Sequence, residues 1–413
     1  MIKKSFIVLL SLIFVLGLAV SSTLLAGTNY DYKDKQVLRK STDLHAAKKF
    51  DVNRIDCWII NDGLFANDPP TGYSGLEYPR GSGNMAIYTA GMWVLGLTSD
   101  THELRAAAAS YSTDWRPGLV GPDGTPDDPT KPEYVVYKYN KGDAVDQAAI
   151  DQGCPAEVIG DQMLFCVYND ADPTPHTAVW QTPPIGLEVR QTVWGYAQAG
   201  PLGDCMFMRF EFINKGPVDL DSAYVAIFFD PDLGEATDDF VGCDTDLSLG
   251  FVYNGDAHDP YYGYSPPAVG CDFFQGPMVE SPGDTAKLPS GALADMKVLP
   301  MTSFFKYINS STLYRDPRLQ SSEGGYWAYN YVQGFVWDGS PFIDPTTGLP
   351  SKFVNPGDPV TGAGWLCSNE SPPGDMRMGQ ASGPFKLKKG EPMEVVVGIV
   401  CGLGTNYLNS ISV

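Results

Sequence analysis

The chain is short of base, and that shortage limits its partners. It carries 28 Lys and Arg against 49 Asp and Glu over 413 residues, a formal charge of −21. Nucleic acid and anionic membrane surfaces attract positive charge, so the balance argues against both as partners. Histidine is also scarce. His45, His102, His176 and His258 are scattered and form no His-Glu-x-x-His pair. The eight cysteines, at positions 57, 154, 166, 205, 243, 271, 367 and 401, include no Cys-x-x-Cys spacing, which speaks against zinc. The sequence contains neither a phosphate-binding loop nor a dinucleotide fingerprint, and no Gly-x-Ser-x-Gly elbow. Gly81-Ser-Gly83 reads only as a turn. Beyond the N-terminus, no apolar run approaches a transmembrane length.

What is present begins with an export signal. Lys3 and Lys4 precede an apolar run from Phe6 to Val20, and Ala19 and Ser21 stand at −3/−1 spacing, with Ala26 as a second cleavage point. Residues 1–26 are therefore expected to be a signal peptide and the protein secreted or on the cell surface. An uncleaved anchor reaching Ala26 is the alternative. Losing Lys3 and Lys4 takes the charge from −21 to −23. The mature chain is then expected to have no stable membrane span. In such a compartment an even number of cysteines permits disulfides. Cys166, Cys205 and Cys401 nevertheless lie inside apolar runs, where Cys acts as a small hydrophobe, so mostly free, buried thiols are expected, with one or two bridges as the alternative.

Aromatics at 12%, 44 Gly and 33 Pro point to many short strands joined by tight turns. Residues 27–54 read as a polar leader with one short helix around Leu44 to Lys49. From Ile55 the pattern is β. Successive strands are expected at Gln162–Tyr168, Gly186–Ala197, Cys205–Ile213, Ser222–Phe229 and Leu247–Tyr253. Glu188 to Trp194 and Phe207 to Phe212 alternate apolar with polar residues, as a sheet with one buried face requires. The fold class expected is all-β: an antiparallel β-sandwich, jelly-roll-like, with long Gly/Pro loops and few helices. The one later helix falls around Ser322 to Gln333. The sandwich is expected over 55–405, as one unit or as two packed subdomains divided near 280–300. Residues 406–413 read as the cut-off start of a further segment.

Several runs together resemble a family of large bacterial exported proteins. They include Gly81-Ser-Gly-Asn84, Ala90-Gly-Met-Trp-Val94, Asp161 to Asp172, Gly186 to Trp194, Ile213-Asn-Lys-Gly216, Asp230-Pro-Asp-Leu-Gly234, Asp238 to Asp244 and Asp358 to Trp365. The likeness spans roughly residues 50–405. It implies a cell-surface or extracellular protein whose relatives usually end in a sorting domain for type IX secretion. That domain is absent from this sequence, and Cys154 to Gly160 is shorter than the family's usual insertion. The resemblance implies no particular reaction.

The densest chemistry lies at 230–246. Asp230, Asp232, Glu235, Asp238, Asp239, Asp244 and Asp246 follow a strand within seventeen residues. Calcium takes six to eight oxygens and tolerates irregular loops, whereas so many like charges are costly without a cation. A Ca²⁺ site is expected there, with a solvated acidic loop as the bland alternative. It is not an EF-hand. Asp170 and Asp172 form a second, weaker candidate, which an Asx-type turn explains more simply. Glu188 and Glu211 are the strand-borne carboxylates that a glycosidase reading would use, although a wet sheet face is their simpler place. Tyr261 to Tyr264 and Tyr326 to Tyr331 offer either a stacking surface for glycan or peptide, or core filling. The resulting expectation is an exported structural or adhesion module with a cell-surface polymer, glycan or protein partner and further C-terminal domains. The alternative is a secreted enzyme degrading polysaccharide or peptide, or its substrate-binding part.

Overall fold

The computed structural model describes residues 46–413 other than Pro289, Ser290 and Ser310. The proposed signal peptide and most of the polar leader lie outside the described residues. Two large antiparallel sheets make up the body, as the strand pattern predicts. The ten-stranded sheet runs Ser303–Ile308, Met376–Leu387, Leu220–Asp230, Thr89–Thr98, Leu64–Phe65, Asp56–Ile60, Leu76–Glu77, Met85–Ile87, with Ala47–Phe50 also paired to Asp56–Ile60 and Leu104–Ala108 to Thr89–Thr98. The nine-stranded sheet runs Asp239–Asp244, Leu249–Asn254, Ala268–Gln275, Pro392–Gly402, Cys205–Asn214, Leu187–Gly195, Gln162–Asn169, Arg116–Pro117, with Tyr137–Asn140 also paired to Gln162–Asn169. Neighbours distant in sequence are thus hydrogen-bonded, as in a sandwich with Greek-key-like connections.

Burial follows from what covers each face. The strand Cys205–Asn214 alternates buried and half-buried residues, so one face is wet. Leu220–Asp230 is instead buried continuously from Ala223 onwards, because the helix Ser322–Val332 covers its other face. Trp93 stacks on Phe228 at 5.4 Å, and Phe305 on the helix residue Tyr331 at 5.3 Å. Tyr329 on the same helix donates to the Ser222 carbonyl at 3.0 Å. Gly91 lets another chain segment approach this sheet closely: a Cβ there would stand 2.3 Å from the Ala109 carbonyl oxygen.

Two sequence expectations need correction. Lys48 and Lys49 are not helical. Ala47–Phe50 is a strand, paired with Asp56–Ile60 and anchored by the Lys49–Asp56 ion pair at 2.7 Å, so a tertiary partner overrides local preference. The region 280–300 does not divide two subdomains, since one hydrophobic core runs from Phe50 to Cys401. That region is the mostly exposed hairpin Met278–Leu288 and Gly291–Val298. Residues 409–412 form a short helix packed back on the nine-stranded sheet, where Ser410 donates to the Pro266 carbonyl at 2.7 Å. All eight cysteines are buried and unbridged.

Candidate functional site: an acidic rim between the sheets

The segment 230–246 is not one loop. Asp230 ends a strand, residues 231–238 turn, and Asp239–Asp244 is a strand of the nine-stranded sheet. Six extended residues carry the chain about 17 Å at roughly 3.3 Å per residue, so Asp244 and Asp246 stand away from the others. Asp244 Oδ1 accepts the N–H groups of Asp246 and Leu247 at 2.9 and 3.0 Å, which makes it a turn cap.

Asp230 and Asp232 instead meet a residue that the sequence did not single out. One carboxylate oxygen from each of Asp230, Asp232 and Asp375 lies within 4.8 Å of the others. Tyr111 donates to Asp230 at 2.9 Å. Arg377, only 2% exposed, pairs with Asp375 at 2.9 Å and Asp316 at 2.5 Å. One guanidinium thus pairs with two carboxylates, one of them a member of the three-aspartate group. Asp375 begins the approach to the strand Met376–Leu387, and only the pairing of that strand with Leu220–Asp230 brings it here.

A second group adjoins the first. Asp239 is fully buried; its Oδ2 accepts the Leu233 N–H at 3.0 Å, while Oδ1 has no hydrogen-bond partner. Directly across the ladder stands Asn254, also fully buried, with its own Oδ1 unpartnered. Asp238 presents a third such oxygen. Burial, then the nearby Asp238, Asp232 and Asp259, hold the Asp239 carboxyl well above the usual range. Burial together with Asp259, Asp256 and Glu235 pushes Asp238 up to about 6. Asp259 has a structural role, accepting the N–H groups of Glu235, Tyr261 and Tyr262 at 2.8, 2.7 and 2.5 Å. Gly234 permits this cradle, because a Cβ there would lie 2.4 Å from Asp259 Oδ1 and the backbone has φ +75°. The Gly374 N–H donates to the Asp239 carbonyl at 3.0 Å, tying the Asp375 segment to this strand. Oxygen donors alone, several of them buried, suit a hard cation.

The second sequence candidate divides. Asp170 is fully buried and accepts the Ile185 and Leu187 N–H groups at 2.7 and 2.5 Å, with His176 at 3.3 Å. Asp172 caps the Thr174 N–H at 2.9 Å in the Asx-type turn that the sequence allowed. Glu188 is not on a wet face. It is fully buried and bound by Lys215 at 2.6 Å and Arg190 at 3.1 Å, and Arg190 also binds Glu211. Among the proposed aromatics, Trp327, Tyr329 and Tyr331 fill the core, while Tyr261, Tyr264 and Tyr326 are exposed. A cleft of 530 Å³ is lined by Arg54, Asp204, Asp244, Phe251 and Val400, among others. Asp204 in it is held by Arg54 at 3.0 Å and by the Tyr78 hydroxyl at 2.7 Å. No family model matches the chain, and no curated protein matches it.

Proposed function

We propose that the protein is an exported structural or adhesion β-sandwich module, stabilised by a divalent cation, calcium by its donor chemistry, at the rim between the sheets. One observation carries the cation: Oδ1 of Asp239 and Oδ1 of Asn254, residues paired directly across the ladder, are buried without a hydrogen-bond partner, beside the Asp230–Asp232–Asp375 group. A dication supplies the charge that Arg377 alone does not. Of the six metal candidates read from the sequence, Asp230, Asp232, Asp238 and Asp239 remain in this reading, whereas Asp244 and Asp246 leave it. The N-terminal signal pattern supports export, and the resemblance to large bacterial exported proteins supports the cell surface. Thermal melting with EGTA and with added CaCl₂ tests the cation. Calcium is expected to raise the melting temperature, because a ligand that binds only the folded state must stabilise it. An unchanged transition removes the cation from the reading.

A further inference from the structure

A second polar cluster lies at the outer edge of the ten-stranded sheet. Lys306, on the edge strand Ser303–Ile308, is fully buried. Its Nζ donates to Asn355 Oδ1 at 2.7 Å and to Glu370 Oε2 at 2.8 Å. The same Glu370 oxygen accepts from Asn355 Nδ2 at 3.1 Å. One carboxylate therefore bridges an amine and the carboxamide that the amine already touches. Asn355 is 1% exposed and the Glu370 side chain 19%. The Tyr314 ring lies 4.6 Å from Nζ, and the Tyr314 hydroxyl donates to Glu370 Oε1 at 3.0 Å.

The geometry points to an intramolecular isopeptide bond between Lys306 and Asn355, formed by the protein itself with Glu370 as the proton shuttle. A carbonyl bond of about 1.23 Å and an angle near 120° put the Asn355 carboxamide carbon about 3.5 Å from Nζ, at the edge of near-attack range. The carboxamide is oriented for the reaction, its oxygen toward the amine and its nitrogen toward the acid. Glu370 Oε2, hydrogen-bonded to Nζ at 2.8 Å, is placed to take a proton from the ammonium directly. Proton transfer from Nζ to Glu370 Oε2 frees the amine lone pair. The amine attacks Asn355 Cγ and a C–N bond forms. Glu370 returns that proton to Nδ2 and takes the second from Nζ, the Cγ–Nδ2 bond breaks, and the released ammonia takes the second proton from Glu370. Lysine ammonium and carboxamide become a secondary amide and an ammonium ion, with no oxidant or reductant required. Glu370 touches both reacting groups and is the catalytic residue in the strict sense.

The placement gives the bond a use. The segment carrying Asn355 lies alongside the edge strand: the Phe304 N–H donates to Lys352 O and the Val354 N–H to Phe304 O, each at 3.1 Å. The Asn355 carbonyl also accepts the Cys243 N–H of the other sheet at 3.3 Å. A covalent link here would fasten the edge segment, and through it the rim between the sheets, against pulling and proteolysis. It does not depend on the cation.

The test is the mass of the native, purified protein after reduction and denaturation. The expected mass is lower than that of the sequence from the observed N-terminus by one ammonia, and a digest should yield one branched peptide joining the Lys306 and Asn355 segments, with no tryptic cleavage after Lys306. Glu370→Gln keeps the side-chain volume but removes the proton acceptor, and should restore the full mass and lower the melting temperature. A wild-type mass equal to that of the sequence overturns the proposal. So does an ammonia loss that maps to a succinimide at Asn254-Gly255, or a Lys306–Cys367 link that has gained oxygen, the thiol lying 3.1 Å from Nζ. Because the wild-type protein alone decides, a variant that fails to fold leaves the question open to no other reading.

Discussion

Acid should switch off the effect of calcium, and the acidic rim sets where. Asp238 titrates at about 6 and the Asp239 carboxyl sits well above its ordinary range, both chiefly through burial. A carboxyl whose pKa is raised in the folded state binds more protons folded than unfolded. Without metal, these groups therefore favour the fold at low pH and lose that contribution as pH rises through about 6. Calcium binds the ionised form and reverses the trend. At pH 8, with calcium at about 100 times its dissociation constant, the linkage gain is about 2.7 kcal/mol, or roughly 3 °C in melting temperature for a chain of this size. For an extracellular-type site, that excess corresponds to about 10 mM or more. At pH 5 Asp238 alone costs about tenfold in apparent affinity, which leaves a gain of about 1.4 kcal/mol, and the raised Asp239 carboxyl lowers it further. The assay is differential scanning calorimetry in EGTA and in CaCl₂ at both pH values, read as the difference between the paired scans. Asp239→Asn gives the matching genetic result: in EGTA it should melt at or above wild type, since a buried charge is gone, and in CaCl₂ below it. A calcium shift of equal size at pH 5 and pH 8 would refute the reasoning, as would an Asp239→Asn variant that melts below wild type in both buffers.

Other measurements address the rest of the molecule. Trp93, which contacts Phe228 at 5.4 Å and Trp180 at 4.8 Å, should cost about 3–5 kcal/mol when replaced by Ala, read by urea unfolding. Glu188→Gln leaves the partly exposed Lys215 without its counter-charge, while Arg190 keeps Glu211, and should cost about 1–3 kcal/mol by the same measurement. The eight thiols should be inert to a thiol reagent in the native state and react together on unfolding, because burial raises the thiols of Cys57, Cys154, Cys166, Cys205, Cys243, Cys271 and Cys401. Gly234→Ala should lower stability by about 1–3 kcal/mol through strain and the clash with Asp259, measured with EGTA present to keep the cation out of the comparison.

The sequence alone determined the architecture, because a sheet with one wet face prints its period on the chain. Cys205–Asn214 shows this directly, and the helix Ser322–Val332 was legible from its composition despite two glycines. It also marked Asp230, Asp232, Asp238 and Asp239 as an acidic group. Tertiary structure decided the rest. Asp244 was separated from that group by a strand that local sequence reads as loop, and Asp375 joined it through strand pairing. Glu188 alternates like a surface residue, yet Lys215 and Arg190 close over it. Lys306, Asn355 and Glu370 share no motif and no spacing; they meet only because an edge strand and two loops converge on one buried spot. Period and composition are local properties, whereas a polar site is made by whichever distant side chains the packed sheets bring within hydrogen-bond reach.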